Sequence, residues 1–194
     1  MSRYDGETAL IVVDMQNDFA DPEGSLYVPG GEEVVPIINR EIERAGEAGA
    51  FVVYTQDWHP AETPHFAKDG GIWPVHCVGD SWGAELHPDL ELAGPTVRKG
   101  TGGEDGYSGF SVRDPESGEE TGTGLAESLA ERGVGRLVVV GLALDYCVKA
   151  TAIDAVTGGW DTTVLGAATR AVNLEPGDDA RALEELRKAG VALA

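Results

Sequence analysis

The chain has 194 residues, 42% of them hydrophobic, and a formal net charge of −20 from 34 acidic and 14 basic side chains. That length suits one substantial core, read as a single domain over 1–194, and the negative field excludes nucleic acid and anionic membrane as partners. The longest uncharged apolar runs, such as Ala9–Val13 and Leu137–Leu144, fall far short of the roughly 20 residues a membrane helix needs.

The opening residues Met1-Ser-Arg-Tyr-Asp-Gly-Glu7 lack a signal-peptide pattern, and the two cysteines, Cys77 and Cys147, make no disulfide framework, so a reduced cytoplasmic setting is expected. Acidic residues are dispersed along helix faces and loops, and lysine is scarce. This balance suits a high-salt cytoplasm in which self-repulsion is screened. The melting temperature is therefore expected to rise in molar salt; a flat or falling Tm across a salt series would remove that reading.

In chain order, the apolar run Thr8–Val13 predicts a strand that ends at Asp14. Val34, Ile37, Ile38 and Ile42 recur at helical spacing ahead of Gly46 and Gly49, which predicts a helix over 31–48. Ala50–Thr55 reads as the next strand, just before Asp57, and Thr96–Arg98 as a third, just before Lys99. Between and after them, segments 57–94 (rich in His, Trp and Pro) and 100–123 (rich in Gly and acid) resist assignment. Loops this long are functional or disordered. Helix Leu125–Arg132, strand Leu137–Val140, helix Asp145–Thr157, strand Thr162–Leu165, helix Asp178–Ala189 with Gly190 as its stop, and strand Val191–Leu193 complete the series. Alternating strands and amphipathic segments predict an α/β fold: a three-layer, doubly wound, mainly parallel six-stranded sheet with helices on both faces.

Ligands of open parallel sheets bind beyond the carboxyl ends of the strands, so Asp14, Asp57, Lys99 and Cys147 are expected to face one crevice. Cys147 lies in Gly141-Leu-Ala-Leu-Asp-Tyr-Cys147, a strand-to-helix junction where free N–H groups and the helix dipole favour thiolate. Asp14 alone could be a turn residue and Lys99 a solvated cation. Together with a thiol they form an acyl-transfer set, in which the carboxylate accepts the thiol proton and the ammonium steadies the ion pair.

Asp57-Trp-His59, His65 and Trp73-Pro-Val-His76 bring one carboxylate and three of the four histidines into a short stretch. Mixed O and N donors suit zinc, iron or manganese; the bland reading is loop histidines bonded to backbone. His87 falls outside the cluster and is expected at the surface. Cys77 is expected to be a small hydrophobic bystander, with a thiolate ligand as the alternative. Phe19, Trp73, Tyr107, Phe110 and Tyr146 neighbour these polar groups, and several of them around one crevice would form a slot for a planar ring.

Val12-Val-Asp14-Met-Gln-Asn-Asp-Phe19, Asp57-Trp-His59 with His65, Trp73-Pro-Val-His76-Cys77, Arg98-Lys99-Gly100, Tyr107-Ser-Gly-Phe110 and Gly141-Leu-Ala-Leu-Asp-Tyr-Cys147-Val together resemble the nicotinamidase/pyrazinamidase family of isochorismatase-like cysteine hydrolases. The resemblance covers nearly the whole chain. It implies Cys147 as nucleophile, Asp14 as base, Lys99 as the cation tuning them, and a cis peptide at Leu142–Ala143 that aims the Ala143 and Cys147 N–H groups as an oxyanion hole. It further implies one divalent metal on Asp57, His59, His65 and His76 that anchors the substrate ring. Phe19 and Trp73 would sandwich that ring, and Tyr107, Leu142 and Tyr146 would line the remaining wall. Nicotinamide or pyrazinamide as substrate, a place in NAD salvage and a possible homo-oligomer also follow. Met15 replaces a commoner valine, and the Gly-Gly-Glu-Asp-Gly and Glu-Ser-Gly-Glu-Glu insertions make the expected cover segment more acidic and flexible. The competing readings are a hydrolase of carbamoyl or ureido amides, a non-catalytic metal-binding relative, and a redox-sensing thiol protein.

Overall fold

Strand β1 (Thr8–Val13) is buried at all of its positions because it lies inside the sheet and both of its faces are covered. The structure is a computed structural model that describes residues 3–194. Around β1 the chain builds α1 (Asn17–Ala20), α2 (Gly31–Glu47), β2 (Phe51–Asp57), β3 (Thr96–Lys99), β4 (Ser111–Arg113), β5 (Glu120–Gly122), α3 (Leu125–Glu131), β6 (Arg136–Leu142), α4 (Lys149–Thr157), β7 (Asp161–Arg170), α5 (Asp178–Ala189) and β8 (Ala192–Leu193). The main sheet has six strands in the order β3-β2-β1-β6-β7-β8. Every pairing within it is parallel, in keeping with the expected six-stranded sheet.

The two faces of β1 feed two cores. Leu10 and Val12 pack with Val34, Ile38 and Ile42 of α2, whereas Ala9, Ile11 and Val13 pack with Leu125 and Leu129 of α3, Ala152 and Ala155 of α4, and Leu186 of α5. Burial on both sides is why the strand reads as an unbroken apolar run instead of an alternation. Each large aliphatic side chain buried this way contributes about 1.5–3 kcal/mol relative to exposure.

Several strands run further than hydrophobicity predicts. β2 continues through Gln56 to Asp57, β3 reaches Lys99, β6 spans Arg136–Leu142 and β7 spans Asp161–Arg170. The ladder depends on backbone groups, and polar side chains at the carboxyl ends leave it intact. One consequence is that Asp57 and Lys99 are register partners and share a face. The expected helix Asp145–Thr157 is also revised: a wide π-type turn over Leu144–Val148 precedes α4, and it carries Cys147. Gly141 has φ 108°, and a Cβ there would sit 2.1 Å from the Val13 carbonyl oxygen, so only glycine lets β6 approach β1 where this turn begins.

The two unassigned segments are ordered by sparse pairings. Bridges His59↔Val78 and Phe66↔Trp73 pin the first, while β4 and β5 form an antiparallel hairpin in the second. Asp114 Oδ1 accepts from the Ser117 and Glu116 N–H groups at 2.6 and 3.0 Å, so the Glu-Ser-Gly-Glu-Glu insertion is the turn of a hairpin and not a loose loop. His87 is buried, contrary to expectation. Its N–H donates to the Met15 carbonyl at 2.8 Å beside the Gln16↔Leu86 bridge, which ties its segment to the loop after β1. No described helix is long and apolar enough to cross a membrane.

Candidate active site

Order in the sheet reverses beside β1, because the chain moves outward to β2 and β3 and returns on the other side as β6; ligand crevices form at such switch points. Asp14 stands at the end of β1 with φ 46°, Asp57 ends β2, Lys99 ends β3, and Cys147 follows β6. Lys99 is fully buried and links the other three. Its Nζ lies 2.8 Å from Asp14 Oδ2 and 3.8 Å from Cys147 Sγ, and makes short hydrogen bonds to Asp57 Oδ1 and the Gly106 carbonyl. Ligand atoms of Asp14, Asp57 and Cys147 lie within 4.8 Å of one another, as metal donors would. The ammonium already supplies the positive charge among them.

Asp14 Oδ1 accepts from Thr55 Oγ1 at 2.7 Å. Its Oδ2 forms a close ion pair with Lys99 at 2.8 Å and faces the Cys147 side of the site. Burial pushes the Asp14 carboxyl above the usual carboxylate range, although Lys99 opposes it. For Asp57 burial acts in the same direction but is outweighed by Lys99, His59 and His76, and the carboxyl is held well below that range. Burial would lower Lys99, yet the two aspartates raise it, keeping it charged. Cys147 departs from the expectation of a thiolate: burial pushes its thiol well above the ordinary value, Lys99 opposes this, and Asp14 adds to it. The desolvated thiol therefore keeps its proton at rest, next to the Asp14 carboxyl.

Ligand atoms of His59, His65 and His76 lie within 4.8 Å of one another, and all three rings are buried. Asp57 Oδ2 is 3.9 Å from His59 Nε2 and 4.0 Å from His76 Nε2. His65 Nδ1 is bonded to Asp105 Oδ1 at 2.6 Å and His76 Nδ1 to the Pro74 carbonyl at 2.8 Å, leaving Nε2 of each ring available. Neither ring nitrogen of His59 has a hydrogen-bond partner. Burial lowers His65, and lowers His76 to about 4, so both rings are neutral at neutral pH. Two neutral imidazoles and a third with orphaned nitrogens, beside an ionised carboxylate, fit a divalent metal. Cys77 lies outside this group: it is buried, with Sγ 3.9 Å from the Gly83 carbonyl oxygen.

A narrow pocket joins the two clusters, lined by Phe19, Asp57, His65, Trp73, His76, Tyr107, Leu142, Ala143, Tyr146 and Cys147. The Leu142–Ala143 peptide at its base is cis. Trp73 Nε1 donates to Tyr107 Oη at 2.8 Å, and Trp73 meets Tyr146 edge-on at 4.9 Å between centroids, which makes a firm aromatic wall. Burial raises the Tyr107 hydroxyl to about 12, with the Trp73 bond opposing, so it stays neutral. Phe110 does not join this wall. It stacks on Trp160 at 5.3 Å in the core beneath α3 and α4.

Residue-level reading of the sequence missed several contributors. Thr55 holds Asp14. Gln16 bonds the Asp57 backbone at both its N–H and its carbonyl. Leu26, Val28 and Val172 complete the pocket, and Asp105 holds His65. Thr55, Val28 and Val172 resemble ordinary strand or loop residues, and no spacing marks them. Asp105 was hidden in an acidic loop.

Residues 8–194 match the Isochorismatase domain family. The nicotinamidase/pyrazinamidase of Mycobacterium tuberculosis is 40% identical over 189 residues, covering 95% of this chain and 97% of that protein. Among solved structures, the pyrazinamidase of Pyrococcus horikoshii in complex with zinc superposes with a TM-score of 0.85 at 40% identity, covering 97% and 98% of the two chains. PnC1 from L. infantum in complex with nicotinate gives 0.87 at 38%, covering 97% and 92%. The chain thus belongs to the isochorismatase family, within its nicotinamidase/pyrazinamidase group, and is an amidohydrolase.

Proposed function

We propose that this amidohydrolase converts nicotinamide to nicotinate and ammonia through a thioester on Cys147, and that residues 1–194 act as one hydrolase domain. The observation that carries the reading is the buried Lys99, whose Nζ reaches Asp14, Asp57 and Cys147 at once and so joins a thiol–carboxylate pair to the histidine cluster. Substrate identity draws on the relatives: the M. tuberculosis protein is a nicotinamidase/pyrazinamidase and the L. infantum structure holds nicotinate.

Cys147 Sγ attacks the carboxamide carbon while Asp14 Oδ2 takes the thiol proton. The developing oxyanion faces the N–H groups of Ala143 and Cys147, where losing one donor would cost about 100-fold or more. Asp14 then delivers its proton to the departing nitrogen, which leaves as ammonia, and the acyl group stays on sulfur as a thioester. Asp14 next draws a proton from water as the water oxygen attacks that thioester, releasing nicotinate and restoring the thiol. Lys99 keeps Asp14 anionic between these transfers. Asp57, His59, His65 and His76 would hold zinc, iron or manganese, which when bound supplies an electrophilic anchor for a ring nitrogen. Phe19, Trp73, Tyr107, Leu142 and Tyr146 would clamp the flat ring and exclude bulk water.

The test is ammonia release from nicotinamide by protein stripped with a chelator and then restored with each of the three metals. Activity is expected to disappear on stripping and to return with at least one ion. Full activity in the stripped protein would refute the metal anchor, and a folded, reloaded protein inert on nicotinamide but active on a ureido amide would redirect the substrate.

A further inference from the structure

We propose that Asp105 is a positioning residue for the metal centre, fixing which nitrogen of His65 is offered to the ion; this rests on the metal reading above. Asp105 lies in Gly102-Gly-Glu-Asp-Gly106, a stretch that looks like a solvated acidic loop. Its carboxylate instead turns inward, with Oδ1 at 2.6 Å from His65 Nδ1; the His65 side chain is 4% exposed and that of Asp105 28%. A carboxylate acceptor holds the proton on Nδ1 more firmly than a carbonyl does, and so sets the tautomer, turns the ring and strengthens Nε2 as a donor. His76 has only the Pro74 carbonyl in the equivalent place, and neither nitrogen of His59 meets a hydrogen-bond acceptor or donor at bonding distance. Among the three rings, His65 alone has a carboxylate behind it.

The carboxylate is itself held in place. Asp105 exchanges both backbone hydrogen bonds with Arg113, at 2.8 and 2.9 Å, which anchors it on the first strand of the β4–β5 hairpin. Two further ties flank the His65 contact: Thr63 Oγ1 donates to the Gly103 carbonyl at 2.7 Å, and Trp73 Nε1 donates to Tyr107 Oη at 2.8 Å. The segment carrying His65 is therefore seamed to the segment carrying Asp105 at positions 63–103, 65–105 and 73–107. A carboxylate on so firm a backbone gives His65 one orientation before any ion arrives, and this preorganisation should appear as affinity.

The experiment measures zinc affinity of the full chain by competition with a chromophoric chelator, independently of catalysis. Asp105→Ala is expected to weaken zinc binding by about 10–100-fold. Asp105→Asn, whose amide oxygen still accepts from Nδ1–H but carries no charge, should fall between Ala and the wild type. The metal-free variants should melt within a few degrees of the metal-free wild type, and Asp105→Ala should add no further loss on a His65→Ala background. A purely structural role would instead lower the apoprotein Tm and add its loss on that background. Zinc affinity of Asp105→Ala within twofold of wild type overturns the positioning role alone. A wild-type chain that binds no zinc overturns the metal reading and this role with it.

Discussion

Cys147→Ala, purified and metal-loaded, is expected to release ammonia from nicotinamide on the order of 10⁴-fold more slowly than the wild type, while its fold and Tm change little. The side chain is small and the substitution removes only Sγ, so packing in the π-type turn survives. Chemistry does not, because no other thiol reaches the pocket: Cys77 is buried elsewhere against Gly83. Asp14→Asn should cost a comparable factor, because an amide cannot take the thiol proton and the thiol of Cys147, pushed up by burial, will not ionise unaided at neutral pH. The wild-type pH profile carries the same signature. Burial raises Asp14, and the base works only when ionised, so kcat/KM should fall as pH drops through a value above the ordinary carboxylate pKa of about 4. An acid limb below that value, or a Cys147→Ala variant retaining a tenth of the activity, would rule out the thiol–carboxylate pair.

Lys99→Met is expected to destabilise the protein by about 3–5 kcal/mol at pH 7, besides abolishing activity. The two side chains have similar length, so the loss is electrostatic: in the metal-free protein, Asp14 and Asp57, both fully or nearly buried, are left near each other without a cation. Without Lys99, the largest influence opposing burial at each carboxyl is gone, leaving Thr55 beside Asp14 and His59 and His76 beside Asp57. Both carboxyl pKa values then rise in the folded state, and that of Asp14, already raised by burial, moves further above its unfolded value. The folded variant binds more protons than the unfolded chain, and its stability falls as pH rises through those raised values. The deficit relative to wild type should therefore be larger at pH 7 than at pH 5, with a Tm difference near neutrality of roughly 10 °C. Denaturant unfolding at both pH values checks the sign; a deficit that is equal at both, or larger at pH 5, contradicts it.

Local sequence was sufficient where the physical signal is local. The apolar runs of β1 and β6 lie between covered faces, so their hydrophobicity alone marks them as central parallel strands. Helical spacing in α2 and the Gly190 stop of α5 are equally visible, and the stretch from Asp57 to His76 shows its donor types without any fold. Strand-end placement put Asp14, Asp57, Lys99 and Cys147 toward one crevice on topology alone.

Tertiary structure decided what depends on neighbours distant in sequence. The protonation of Cys147 is one case: a junction with free N–H groups argues for thiolate, but burial beside Asp14 outweighs it. Phe110 and His87 are others, since an aromatic or imidazole near polar residues in sequence can still point into a different core or pack beneath a remote loop. Asp105 and Thr55 carry no mark in the chain, because their partners His65 and Asp14 are 40 and 41 residues away and a hydrogen bond of that kind leaves no periodicity. Composition and pattern thus determined the sheet, its helices and the reactive residue types. Which of those residues are charged, which are braced and which merely pack was settled by burial and by contacts that only the folded chain creates.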